Sequence, residues 1–130
     1  MDKIELQLRS KTFGLRAIKL TRALPLEMAA QVVGKQLVRS ALSVGANYRS
    51  ACRARSRAEF LSKLGIVLEE ADESAHWLEI IVESQMLPDV KVKSLLSEAN
   101  ELTAIFSASI ATTRKLSVLR SAPPSRSAKS

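Results

Sequence analysis

Four stretches of this chain place apolar or small side chains three and four residues apart, turn after turn, and that spacing leaves few folds open. Phe13, Ala17, Leu20 and Leu24 form the first stripe. Val33, Leu37, Ser40, Val44, Asn47 and Ala51 form the second, with Ala41 and Tyr48 beside it. Phe60, Leu64, Val67, Ala71, Ser74, Leu78 and Ile81 form the third, widened by Leu61, Leu68, Ala75 and Val82. Leu95, Ala99, Leu102, Phe106, Ser109, Thr113 and Leu116 form the fourth, with Leu96 and Ile110 alongside. Such spacing runs along one side of an α-helix and would scatter over both faces of a strand. Only four glycines and four prolines are available to turn the chain, too few for a sandwich or barrel, and 46% hydrophobic residues suffice for a core.

Boundaries follow from breakers and caps. Pro25 ends the first helix after Leu24, Ser56 with Glu59 three residues on makes a capping box for the third, and Pro88 sits in a first-turn position of the fourth. Ser10 is the expected cap of the first. The expectation is an all-α, antiparallel up-down four-helix bundle over residues 10–119, after an N-terminal extension at 1–9 and before a disordered basic tail at 120–130. Helices near a 3.5-residue repeat, joined by short links, pack this way.

Catalytic chemistry lacks its parts. The single cysteine, Cys52, and single histidine, His76, make neither a disulfide, a Cys/His zinc site nor a Ser/His/Asp set within one chain, and there is no glycine-rich phosphate loop. Glu73 and His76 have the Glu-x-x-His spacing of di-metal bundles, but the stripe puts both on the outer face. No cofactor, metal or enzymatic activity is expected. No stretch has the apolar length of a membrane span or an export signal, and one free cysteine fits a reducing cytoplasm.

Charge is unevenly spread. The formal net charge is +7, with eleven Lys and Arg against three acids in residues 1–55, two against seven in 56–85, and seven against three in 86–130. Lys35, Arg39, Arg49 and Arg53 step along the second helix opposite its core stripe, and Arg55 and Arg57 extend the ridge. Such a ridge tracks phosphates by sequence-independent contacts, or pairs with the acidic third helix of a neighbouring subunit. Aromatic residues at 4% disfavour base-stacking platforms.

Two sets of residues stand outside this frame. Ser40, Asn47 and Ser74 occupy core positions where Leu would be more stabilising; the serines are expected to bond to helix carbonyls and Asn47 to fix register. Apolar residues off the stripes, chiefly Ile66, Trp77 and Ile80 on the third helix, call for a second interface, unless Trp77 belongs to the subunit's own core.

These residues form a pattern. Arg9 to Leu24 and Pro25, then Gln36-Leu37-Val38-Arg39-Ser40-Ala41-Leu42-Ser43-Val44-Gly45-Ala46-Asn47-Tyr48-Arg49, then Ala58-Glu59-Phe60, Leu64-Gly65-Ile66 and Glu69-Glu70-Ala71-Asp72-Glu73-Ser74 before Trp77-Leu78-Glu79, resemble the four helix bundle protein family. It is also called the ribosomal RNA intervening-sequence or S23 family. The resemblance covers about residues 9–117. It implies an antiparallel four-helix bundle assembling into rings, typically pentamers, some members being encoded inside insertions of the large-subunit ribosomal RNA gene. It extends distantly to the accessory protein of diversity-generating retroelements, a basic pentamer that binds nucleic acid and a reverse transcriptase. Many members follow the asparagine with Ile-Ala-Glu-Gly; here Asn47 runs on into Tyr48-Arg49, adding cations. The combined expectation is a non-enzymatic homo-oligomer, five subunits being the best single count, that binds RNA, DNA or a nucleoprotein through its first two helices, with a protein partner also in view. The alternative is a structural adaptor whose basic and acidic helices pair between subunits.

Overall fold

The computed structural model of the chain describes residues 1–121, in four helices: α1 (Lys3–Thr21), α2 (Met28–Cys52), α3 (Arg57–Glu83) and α4 (Asp89–Ser121). The order α1-α2-α3-α4 runs around the bundle, each helix packing on the next and α4 closing on α1. Neighbours are antiparallel: Arg9 of α1 reaches Glu98 of α4 while Arg16 reaches Ser94. There is no strand among the described residues. The basic tail expected at 120–130 lies outside the described residues from 122 onward; Arg120 and Ser121 belong to α4.

The first helix starts earlier than its sequence suggests. Asp2 is its N-cap, accepting from Glu5 N at 2.8 Å, so most of the stretch expected as an extension is helical. Ser10 is not a cap: it is fully buried in mid-helix, on the same side as Leu6, Phe13 and Ala17. A stripe from Leu6 through Ser10 to Leu24 explains both observations, since a small hydroxyl residue occupies one core position. Ser56 does cap α3, accepting from Glu59 N at 3.1 Å.

α3 stops in a Schellman motif. Met86 N donates to Ile81 O and Gln85 N to Val82 O, with Gln85 in the left-handed region at φ 59°. The turn delivers Leu87 to the core and starts α4 just past Pro88.

Phe13, Leu37, Leu64, Leu78, Leu102 and Phe106 are fully enclosed, and each such side chain contributes about 1.5–3 kcal/mol of burial. Tyr48 lies against Phe106, ring centroids 5.5 Å apart, tying α2 to α4 across the bundle. Burial pushes the Tyr48 hydroxyl up from its ordinary acidity, Cys52 adding to the effect. The fourth stripe ends sooner than expected: Ile110 is buried but Leu116 is 48% exposed, because α4 outruns the helices that would cover it.

Candidate nucleic-acid interface

Two glycines bring α1 and α2 together. A Cβ on Gly45 would sit 3.2 Å from Lys11 Cα and 3.3 Å from both Lys11 N and Ser10 O; one on Gly14 would lie 3.1 Å from Leu42 Cδ2. The backbones therefore meet where a larger side chain has no room. Above this contact runs an open groove of about 620 Å³ with Lys11, Arg49 and Arg53 beside the exposed Leu8, Leu15 and Leu42. Among the described residues no acid lines it, and Ser10 Oγ, buried on its floor, has no hydrogen-bond partner. The glycine pair was the available signal for this groove, unread because helical glycines ordinarily count only as weak helix formers.

The predicted ridge separates into parts. Lys35 and Arg49 on α2 and Arg53 at its C-cap are exposed and make no ion pair among the described residues. Arg39 is exposed as expected but is engaged: its guanidinium pairs with Glu73 and with Glu70 (3.3 Å) of α3 in the same chain, and the Glu73 hydrogen bond raises its pKa. Two acids are thereby occupied within the subunit. Arg55 and Arg57 leave the ridge at the α2–α3 turn and face the end of the bundle, with Lys3 and Arg120. The remaining acids of α3 include Glu69, Asp72, Glu79 and Glu83, all exposed.

The core polar residues divide in the same way. Ser40 and Ser74 are fully buried, 2.8 Å apart across the α2–α3 seam; Ser40 also reaches Leu37 O at 3.2 Å and Ser74 reaches Glu70 O at 2.8 Å. Asn47, expected to be buried, is half-buried and donates to Ser43 O of its own helix at 2.9 Å. That bond engages the Asn47 amide nitrogen within its own helix.

Ile66 is 39% exposed on α3, whereas Trp77 and Ile80 are half-buried and pack against the subunit's own core. Trp77 Nε1 is buried without a hydrogen-bond partner among the described residues, and its ring meets His76 edge-on at 4.9 Å. Glu73 serves Arg39 and His76 is exposed; among the described residues no group of three or more His, Cys, Asp or Glu is placed to hold a metal. On the far side Arg9 forks onto Glu98 (2.6 and 2.7 Å), with Glu101 at 3.3 Å; this hydrogen bonding holds the Glu98 carboxyl below the usual carboxylate range. No described helix is long and apolar enough to cross a membrane.

Comparison with known proteins agrees with this architecture. The family model described as 23S rRNA-intervening sequence protein matches residues 2–108. A crystal structure of a protein with unknown function from the S23 ribosomal protein family, from Bacteroides thetaiotaomicron VPI-5482, is 33% identical and superimposes with a TM-score of 0.75. The match covers 81% of this chain and 97% of that one. A search of curated proteins gives no match.

Proposed function

The chain belongs to the 23S rRNA-intervening sequence protein family, and from that premise we propose that it is a non-enzymatic helical module that binds nucleic acid through its α1–α2 face. The observation that carries this reading is the acid-free groove in which Lys11, Arg49 and Arg53 converge, with Lys35 further along the same helix. Among the described residues none of these cations forms an ion pair, and Glu70 and Glu73 are taken by Arg39. Cations on a helical ridge contact phosphates, which fix position and carry no base sequence. Binding should therefore be tolerant of sequence and steep in salt.

Each phosphate neutralised on duplex nucleic acid adds about −0.9 to the log–log slope of affinity against salt. Arg49→Gln with Arg53→Gln should flatten the slope by about two units per engaged subunit and weaken binding throughout. Native protein that fails to bind RNA or DNA at low salt removes the reading.

A second reading is favoured by the apolar rim of that groove. Leu8 is 65%, Leu15 55% and Leu42 44% exposed, more than a phosphate ligand can use. The adaptor reading gives this face to a neighbouring subunit in a cyclic homo-oligomer, five subunits being our count, with the exposed acids of α3 opposite the cations. Light scattering separates the two: if Arg49→Gln with Arg53→Gln dissociates the assembly, the arginines serve the subunit contact.

A further inference from the structure

We propose that the hollow at the α2–α3 end of the bundle is a second anion site, one that takes a compact polyphosphate group of two or more linked phosphates. The hollow is about 440 Å³ and is bounded by Lys3 from α1, Arg55 from the α2–α3 turn, Arg57 at the start of α3, and Arg120 from the last turn of α4. Those positions are scattered over the sequence and meet only because the antiparallel fold brings both N-terminal helix ends beside the C-terminal end of α4. No acid lines the hollow, and none of the four cations forms an ion pair among the described residues. The nearby Glu59 is already engaged, accepting from Arg55 N at 3.3 Å.

One of the four cations is held in place by a ring. Lys3 Nζ stands 5.0 Å from the Phe60 ring centroid, a cation–π contact that keeps it at this end of the bundle. Arg55 and Arg57 flank Ser56, whose hydroxyl occupies Glu59 N. Ser56 and Thr113 add hydroxyl groups to the lining.

Charge and size select the ligand class. A phosphate monoester carries about −1.5 to −2 at neutral pH, half of what four cations balance. Linked phosphates supply the remainder and span a cavity of this volume, and arginine forks match phosphate oxygens in pairs. The site stands apart from the α1–α2 groove, so it survives if that face proves to be a subunit contact.

The test is calorimetric titration of the full chain with inorganic tripolyphosphate, with sulfate at matched ionic strength as the control. Saturable binding to tripolyphosphate, weakened at least about tenfold by Arg57→Gln with Arg120→Gln and by less than about twofold by Arg49→Gln with Arg53→Gln, supports the site. Lys3→Gln, which alters no helix interior, should weaken it in the same direction. Oligonucleotides ending in a 5′-triphosphate or a 5′-hydroxyl then separate an RNA end from a free nucleotide as the source, the RNA end requiring a preference for the triphosphate. Tripolyphosphate binding no tighter than sulfate, or insensitive to Arg57 and Arg120, overturns the proposal.

Discussion

Alanine at Gly45 and alanine at Gly65 should have opposite effects on stability, although both glycines lie inside helices. In each case the substitution replaces the poorer helix former with the best one, a gain of about 1 kcal/mol that includes the lost freedom of the unfolded chain. At Gly65 a Cβ would find nothing within 4 Å, so the gain stands alone. At Gly45 three backbone atoms of α1 lie at 3.2–3.3 Å, tighter than an ordinary carbon contact, and they move only if α1 moves. Overpacking of this kind costs about 1–3 kcal/mol, which leaves Gly45→Ala neutral to about 2 kcal/mol less stable. The propensity term cancels in the difference between the two variants, so a gap of about 1–3 kcal/mol measures the steric term directly. Urea denaturation followed by helical circular dichroism reads it, at one protein concentration because any self-association would shift apparent stability. If Gly45→Ala stabilises as much as Gly65→Ala, the close α1–α2 contact and the groove above it are wrong.

Further outcomes follow from single contacts. The Glu98 carboxyl has its pKa lowered by Arg9, so its contribution to stability is complete above the ordinary value of 4.5 and is lost as pH falls through the lower folded value. Glu98→Gln should remove that part of the acid dependence in melts taken from neutral to pH 3, and an unchanged profile would refute it. Ser40→Ala and Ser74→Ala should each cost about 1 kcal/mol, while the double variant costs about 0.5–1 kcal/mol less than their sum; strict additivity would place the hydroxyls out of contact. Gln85→Gly should stabilise by up to about 1 kcal/mol, since glycine adopts the left-handed conformation at no steric cost; a loss of stability would mean the Gln85 side chain makes a contact worth more than its strain.

The apolar stripes were readable because burial imposes a period, and a period survives without knowledge of neighbours. Where one position broke the alphabet, the reading stopped early: Ser10 lies on the α1 stripe, but its hydroxyl looked like a cap, and the true cap, Asp2 with Glu5 three residues on, repeats the pattern recognised at Ser56 and Glu59. Leu116 failed in the other direction, since spacing shows which side of α4 is apolar and not how far the other helices reach. Charge contacts were less legible still. The outward face of Arg39 was correctly placed, yet its partnership with Glu70 and Glu73 depends on the register of α2 against α3. That register is also what sets Ser40 against Ser74.

The antiparallel fold converts a scattered charge pattern into a directional one. One end of the bundle gathers the start of α1, the end of α2, the start of α3 and the end of α4, and with them Lys3, Arg49, Arg53, Arg55, Arg57, Arg114, Lys115 and Arg120. Among the described residues only Asp2, Glu5 and Glu59 oppose them there. At the other end Lys19, Arg22, Lys91 and Lys93 face Glu27, Glu79, Glu83 and Asp89, and the two sets balance. On the proposed reading, a polyanion approaches the α2–α3 end of the subunit, where local field, more than overall net charge, decides the approach. In a cyclic assembly whose symmetry axis runs along the bundles, that direction would be preserved, because rotation turns the same end of every subunit to the same side of the ring. Such a ring would have one basic rim and one balanced rim. Both the groove cations Arg49 and Arg53 and the end-site cations Lys3, Arg55, Arg57 and Arg120 would lie toward the basic one, so a nucleic acid held along the groove could reach the end site with its terminal phosphates.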